Sequence, residues 1–209
     1  MRLAKLSDLK KAQGIATSDT SQDTYLQGIL EMITAVFENY LGRRISYVAS
    51  DTTEELDGGD RDIKLANWPI SGGTSPGWGV SSVKEAADGD FAAATALTPP
   101  TQFRINRERG VLTRWPDASR WLSGTKTVQV VYRYGWIGPD DTPVDNVEVA
   151  PRDLANAALA QAAAYIQRKL EPLPTSVSPT GPGGSVAQSG DYSLVHGAKM
   201  VLDGRKRMW

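Results

Sequence analysis

Apolar residues recur at three- and four-residue steps over residues 21–41, which is the clearest pattern in the chain. This spacing places the apolar side chains on one face and predicts a long amphipathic helix. Gly42 follows directly and predicts the end of the helix, because glycine readily adopts the left-handed conformation that closes helices. Arg43 and Arg44 are expected to interact favourably with the negative end of the helix dipole.

Two further helices are predicted, one on each side of the centre of the chain. A short helix at about 7–13 has Ser7 at its start, a residue typical of the N-cap position. A last helix at about 151–170 follows Pro151 and is so rich in alanine that it has almost no polar face. We predict that it packs on the long N-terminal helix and on a neighbouring subunit, a central core helix being the alternative. The residues predicted at the subunit contact are Leu159, Ala163, Tyr165 and Ile166.

Between these helices the pattern changes to short β-rich segments separated by Gly, Pro and Asp. Strands are predicted near 45–49, 62–65, 81–86, 102–105, 111–114 and 128–134. The Gly/Ser-rich stretch 71–79 predicts a projecting loop, and we expect the exposed Trp78 to lie at a subunit contact. The predicted fold class is α+β, with a mainly helical body at 1–171 in which the long N-terminal helix packs with the alanine-rich helix. A small antiparallel β region at about 45–134 lies between the helices, and an extended C-terminal arm follows.

Residues 172–209 form the predicted arm. Proline, glycine and serine dominate its first part, a composition that cannot bury enough apolar surface to fold by itself and predicts a flexible tether. Apolar, aromatic and arginine side chains then return, as is typical of interface anchors. A disordered tail with incidental apolar residues is the alternative. The predicted anchoring residues are Tyr192, Leu194, Met200, Val201, Leu202, Arg205, Arg207, Met208 and Trp209.

Composition narrows the classes of function. The 23 basic and 24 acidic residues give a formal net charge of -1, so a protein that binds nucleic acid tightly is not expected. The chain has no cysteine, which excludes disulfides, thiolate metal sites and cysteine nucleophiles. No apolar run approaches the roughly 20 residues of a membrane span, so we expect a soluble, unexported protein without a membrane partner.

Motifs for chemistry are weak. The only histidine, His196, lies in the predicted arm, so one chain cannot build a histidine-based triad or metal cluster. Asp57, Asp60 and Asp62 could offer oxygens to a hard cation, but their spacing departs from the calcium-loop pattern and a solvated turn is favoured. The sequence therefore predicts no catalytic residue, no cofactor and no metal site.

Arginines alternate with aromatic residues between 103 and 121. Such a run could touch a phosphate backbone or an acidic partner. A solvated sheet face or a subunit interface is favoured, because Glu108 and Asp117 dilute the positive charge.

The order of these segments resembles the head–tail connector (adaptor) proteins that tailed phages place beneath their portal. The resemblance covers most of residues 6–170. Each of its motifs consists of apolar residues in a core-forming pattern together with residues that favour a turn. The segments that carry it are 6–10, 23–44, 65–70, 80–83, 110–116, 128–135 and 151–154, followed by Ala157, Leu159, Tyr165 and Arg168.

The resemblance implies a structural virion protein at the head–tail interface, assembled in the host cytoplasm and without enzymatic activity. It implies a dodecameric ring between the portal protein and a downstream stopper or tail protein, with genomic DNA passing through the lumen. It further implies that the C-terminal arm docks on the portal, with Met208 and Trp209 filling pockets and Arg205 and Arg207 pairing with carboxylates. The alternatives are a stopper or tail-completion ring of the same particle, or a host-side ligand-binding module.

Overall fold

The computed structural model describes residues 1–73, 77, 79–170 and 194–206. Within these residues two helices come first, six strands in two sheets follow, and two helices come last. The elements are α1 (Leu6–Ala12), α2 (Asp23–Leu41), β1 (Val48–Gly58), β2 (Asp62–Lys64), β3 (Val80–Glu85), β4 (Phe103–Asn106), β5 (Val111–Arg114), β6 (Gly124–Tyr134), α3 (Arg152–Leu170) and α4 (His196–Lys206).

The fold is α+β, but the prediction of a mainly helical body was wrong. About 31% of the described residues are in helices and about 25% in strands or β-bridges. Its strands form two three-stranded antiparallel sheets, ordered β1-β6-β3 and β2-β5-β4. The extended arm was also wrong for residues 196–206, which form helix α4. The strand predicted at 45–49 was misplaced because β1 continues through a polar stretch at 50–55, where no apolar run indicated a strand.

The helical layer has its own apolar core. Helix α2 buries Leu26, Leu30, Ile33 and Phe37 along one face, and α1, α3 and α4 each contact this helix. Full burial of a side chain as large as Phe37 stabilises the fold by about 1.5–3 kcal/mol. The same cluster includes Leu154, Ala158 and Ala162 of α3 together with Ala198 and Leu202 of α4.

The beginning of α1 differs from the prediction. Ser7 lies inside the helix, Lys5 occupies the N-cap position, and no side chain caps it. The backbone N–H of Leu6 donates instead to Oδ2 of Asp140, at 3.0 Å. A carboxylate distant in sequence thus replaces the expected serine cap and links α1 to the loop before α3.

Strand β6 is the central strand of the larger sheet. Val130 pairs with Glu54 of β1 on one side and with Val83 of β3 on the other. Val128, Val130 and Tyr132 alternate toward the interior, where they join Leu112 from the smaller sheet in a second apolar cluster. The hydroxyl of Tyr132 donates to Oε1 of Glu54 at 2.7 Å. The pKa of Tyr132 is raised above its usual range, mainly because the hydroxyl is buried and secondly because it lies beside this carboxylate. This contact ties β1 to the central strand through a half-buried hydrogen bond.

A glycine before β5 allows Trp68 to pack between the layers. Gly110 has a φ of +62°, and a Cβ added to it would lie 2.9 Å from Cβ of Trp68. The carbonyl of Gly110 also accepts a hydrogen bond from the N–H of Leu65 at 2.9 Å. Only glycine combines this left-handed conformation with so close an approach. Trp68 is thereby buried beside the C-terminal end of α2, where the candidate site lies.

Candidate assembly surfaces

Helix α4 docks on the helical layer through a narrow apolar strip. Ala198 and Leu202, one helical turn apart, are fully buried. Leu194, Val195 and Val201 are half-buried and pack against the same cluster. An apolar strip at this spacing is what an amphipathic helix presents to a groove. The rest of α4 is polar or exposed, so this strip carries the hydrophobic part of the contact.

Polar contacts fix the direction of α4. Near its start, the N–H of Val195 donates to Oε1 of Gln161 at 2.8 Å. Near its end, Nη2 of Arg205 donates to both oxygens of Asp153, at 2.7 and 2.8 Å. Because Gln161 follows Asp153 along α3, the two helices run antiparallel.

Helix α4 is also held by α2. The hydroxyl of Tyr40 donates to Oδ1 of Asp203 at 2.6 Å. The ammonium of Lys206 lies 5.0 Å from the centre of the Tyr40 ring. Charge-assisted hydrogen bonds of this kind are stronger than neutral ones, so the two polar contacts on α2 and α3 supplement the small apolar strip.

Two arginines and two tryptophans lie where α4 meets the sheet layer. The guanidinium of Arg43 lies 3.1 Å from the centre of the Trp68 ring and donates to the carbonyl of Trp68. The guanidinium of Arg205 lies 5.4 Å from the centre of the Trp136 ring. Burial lowers the pKa of Arg43 to about 9, and the positive charge of Arg205 acts in the same direction. The cation of Arg43 is therefore held by stacking on the Trp68 ring and by its hydrogen bond to the Trp68 carbonyl.

A cavity of about 550 Å³ opens beside this cluster, between α4 and the loops of the sheet layer. Acidic and basic groups both line it, so it has no strong preference for one sign of charge. Met200, with 63% of its surface exposed, stands at its edge. Its lining includes Trp68, Trp136, Glu108, Arg109, Glu148 and Met200.

A second cavity, of about 270 Å³, lies between the start of α1 and α3. Lys5, Arg152 and Leu159 contribute to its lining. Along α3, Asn156, Ala160 and Gln167 are exposed, which leaves a strip of small and polar side chains that a neighbouring molecule can approach closely.

The residues predicted at a subunit contact fall in different places. Ile166 is buried in the protein's own helical core, whereas Leu159, Ala163 and Tyr165 are half-buried on α3. Trp78 lies outside the described residues. The structure therefore leaves Leu159 and Ala163 beside the exposed strip of α3, and their role in a subunit contact stays a prediction.

The predicted anchoring residues are also divided. Leu202 and Arg205 contact the protein's own body, Leu194 and Val201 are half-buried, and Met200 is exposed. Within the described part of the arm, Met200 is thus the predicted anchor that a partner can reach most easily. The remaining predicted anchors, Tyr192, Arg207, Met208 and Trp209, lie outside the described residues.

The arginine and aromatic run does not form one surface. Arg114 pairs with Glu85 at 3.1 Å and lies 5.6 Å from the ring of the buried Trp121. Arg104 is exposed, and its guanidinium lies 3.4 Å from the centre of the Trp115 ring. Arg109 and Arg120 are also exposed, so the solvent-facing part of this run consists of separate arginines, of which Arg104 is stacked on Trp115.

No group of three or more His, Cys, Asp or Glu residues among the described positions is arranged to hold a metal ion. Asp57, Asp60 and Asp62 are exposed, and Asp57 accepts a hydrogen bond from the N–H of Lys126 at 2.8 Å. His196 is exposed at the start of α4.

Among the helices in the described ranges, none combines the length and apolar character needed to cross a bilayer.

Sequence reasoning missed the contact of Arg43 with Trp68. Arg43 was expected to interact with the end of α2, and nothing in the spacing of the two residues indicates a stacked pair. The one available signal was Gly110, because a glycine at the start of a strand often marks a close approach of another part of the chain.

No protein-family profile matches the chain, and no curated protein matches it. Similar folds occur in solved structures of gene transfer agent (GTA) particles. One is a chain in the neck of an empty GTA particle computed with C6 symmetry, with 13% identity, a TM-score of 0.50, and 98% of this chain and 89% of that chain covered. Another is a chain in the virion of a native GTA particle, with 13% identity, a TM-score of 0.50, and 97% and 88% covered. At this identity the likeness concerns the fold alone.

Proposed function

We propose that this chain is a structural subunit of the neck of a phage-type particle, a head–tail connector that joins the DNA-filled head to the tail. The observation that carries the proposal is the likeness of fold to a chain from a GTA particle neck, which extends over 98% of this chain and 89% of the other. A fold does not determine a function by itself. Here the likeness agrees with a resemblance in the order of sequence motifs, which is a separate observation.

The chemistry of the described residues supports a structural role. Its most elaborate cluster, around Arg43, Trp68, Trp136 and Arg205, consists of stacked rings and guanidinium groups. Such groups are typical of interfaces and lack the paired acid and base that catalysis requires.

The proposed assembly is a homo-oligomeric ring, with twelve copies as the resemblance implies. The sixfold symmetry used for the GTA neck is compatible with a ring of that kind. The ring would lie in the virion between a portal protein and a downstream stopper or tail protein, and genomic DNA would pass through its lumen. The formal net charge of -1 is consistent with this, because a strongly basic lumen would retain DNA.

Portal binding is proposed for the outer face of the C-terminal arm. Met200 is the most exposed of the arm's large apolar side chains in the described residues, and methionine is enriched at protein interfaces. Leu202 and Arg205 are less suitable for a direct portal contact, since each already contacts the protein's own helices.

The test is co-sedimentation of the purified chain with portal rings from the same genome, comparing the native chain with Met200→Glu. Tyr25→Glu is the matched control, because Tyr25 is a large side chain on α2 with 48% of its surface exposed. Native binding that is lost in Met200→Glu and retained in Tyr25→Glu supports both the connector role and the arm. Equal binding of all three places the portal contact elsewhere on the body.

Absence of portal binding by the native chain would contradict the connector proposal. A stopper or tail-completion ring would then be tested by co-sedimentation with the other neck proteins of the same genome. A host-side ligand-binding module predicts instead a stable monomer whose melting temperature rises with a small ligand.

A further inference from the structure

Helix α4 is held by a docking surface that depends on few residues. Residues 194–206 contact the helical layer through one apolar strip, three hydrogen-bonded links, and the contacts of Arg205 with Trp136 and of Lys206 with Tyr40. A second copy of the chain carries the same groove with the same partners. The helix therefore fits the groove of a neighbouring copy as well as it fits its own.

Helix α4 is not expected to persist in water without a groove. It has 11 residues, including Gly197 and Gly204, and nothing lies within 4 Å of a Cβ added at either glycine. Isolated helices shorter than about 12–15 residues are marginal, and each interior glycine costs roughly 1 kcal/mol relative to alanine. The helix is thus expected to be folded when docked on a body, whichever copy supplies that body.

The connection to α4 is much longer than docking within one chain requires. Val195 lies beside Gln161, nine residues before the end of α3 at Leu170, a distance of roughly 14 Å along the helix. Antiparallel helices in bundles are commonly joined by about 2–8 residues. The intervening segment 171–193 can reach at most roughly 80 Å when extended.

That reach includes an adjacent subunit. A compact chain of 209 residues has a radius of gyration of about 17 Å, so the centres of two touching copies lie roughly 40 Å apart. By its number of residues the segment is therefore long enough for the groove of a neighbour in a ring as well as for the chain's own groove. Linking of this kind strengthens an assembly without requiring a new type of contact.

We propose that α4 is an exchanged helix: in the assembled ring it docks on α2 and α3 of the neighbouring copy, through the contacts it makes within one chain. This rests on the proposed function in one respect, since it needs neighbouring copies. The partner is a second copy of this chain, and docking of α4 on the portal is a competing outcome of the test.

The test uses two single-cysteine variants, Asp153→Cys on α3 and Arg205→Cys on α4. The native chain has no cysteine, so the chain itself contributes no other labelling site, and intact mass separates its products from any cross-link to the portal. The two variants are co-expressed with the portal protein, the complex is purified, and a bifunctional maleimide that spans the replaced ion pair is added. The double variant Asp153→Cys/Arg205→Cys, studied as a dilute monomer, establishes that the reagent bridges the two positions. The pair Gln161→Cys and Val195→Cys repeats the design with the Arg205–Asp153 ion pair intact.

Exchange predicts covalent dimers that contain one chain of each variant, identified by intact mass. Exchange is overturned if the ring forms on the portal without mixed dimers and the double variant in that ring gives a cross-link within one chain. The connector role is unaffected by that result. A ring in which neither product forms also overturns it, and indicates that α4 binds the portal. Failure of the chain to form any complex with the portal contradicts the proposed function, and exchange with it.

Discussion

Replacement of Leu202 by alanine tests whether α4 is part of the folded body. Leu202 is fully buried in the helical core, and substitutions of this kind cost about 2–5 kcal/mol in the free energy of unfolding. The loss cannot exceed the free energy with which α4 docks, because the remaining body no longer depends on Leu202 once α4 has detached. We therefore expect the lower part of that range, about 2–3 kcal/mol.

For a protein of this size, that loss lowers the melting temperature by roughly 4–12 °C. It is measured by urea unfolding followed by circular dichroism, in dilute protein so that each α4 docks on its own body. Hydrogen exchange provides a local reading, because the amides of α4 are expected to lose protection before those of α2 and β6.

Met200→Ala is the matched control, since Met200 lies on the same helix with 63% of its surface exposed. A surface substitution of this kind is expected to change stability by no more than about 0.5 kcal/mol. If Leu202→Ala costs no more than Met200→Ala, and α4 keeps the same exchange protection in both, the docking described here is incorrect.

Three further predictions concern the sheet layer. Gly110→Ala should destabilise the fold more than Gly14→Ala in thermal unfolding, because both glycines have positive φ but only Gly110 meets a neighbour, at 2.9 Å; equal losses would refute the packing argument. Tyr132→Phe should cost roughly 1 kcal/mol in urea unfolding, since it removes the hydrogen bond to a half-buried carboxylate, and an unchanged midpoint would count against that bond. Asp51→Asn should cost up to about 1 kcal/mol at neutral pH, because the hydrogen bond from Arg133 holds the pKa of Asp51 below 3.8. Because the pKa is lowered in the folded protein, this stabilisation is present above pH 3.8 and is lost as the pH falls through the folded-state pKa. The free energies of unfolding of the two proteins should therefore converge in acid. A difference that persists there would exclude the ion pair as its source.

The sequence indicated α2 well because its helix-forming pattern is local. Apolar residues at three- and four-residue steps end at Gly42, and in the structure this glycine has a φ of 68° and closes the helix. Both signals lie within the helix and its next residue, so no tertiary contact is needed to interpret them.

Most of strand β1 and all of helix α4 were not recognised, because their stability comes from distant partners. In β1, polar residues such as Glu54 are held by β6, and Tyr132 supplies a hydrogen bond from a distant part of the sequence. In α4, the two glycines weaken the local helical signal, and Leu202 becomes a core residue only through the groove on α2 and α3. Propensity alone cannot reveal such contacts.

The candidate site was only partly visible for the same reason. Arg205 was expected to pair with a carboxylate on a portal, and in the single chain its partner is Asp153 of α3. The residue type indicated the chemistry of the contact, but the identity of the partner depended on tertiary structure. Arg43 gave no comparable signal, because its stacking on Trp68 depends on the glycine at position 110.

The central position of β6 also has a consequence for the order of folding. Its two neighbours, β1 and β3, precede it in the chain and do not pair with each other. Neither edge strand therefore has its hydrogen-bonding partner until β6 has been synthesised, and closing the long loops between them carries an entropic cost. Formation of the larger sheet is consequently a late, non-local step, whereas α2 can begin to form as soon as it leaves the ribosome. A chain interrupted before β6 would leave β1 and β3 unpaired, and unpaired strand edges favour aggregation.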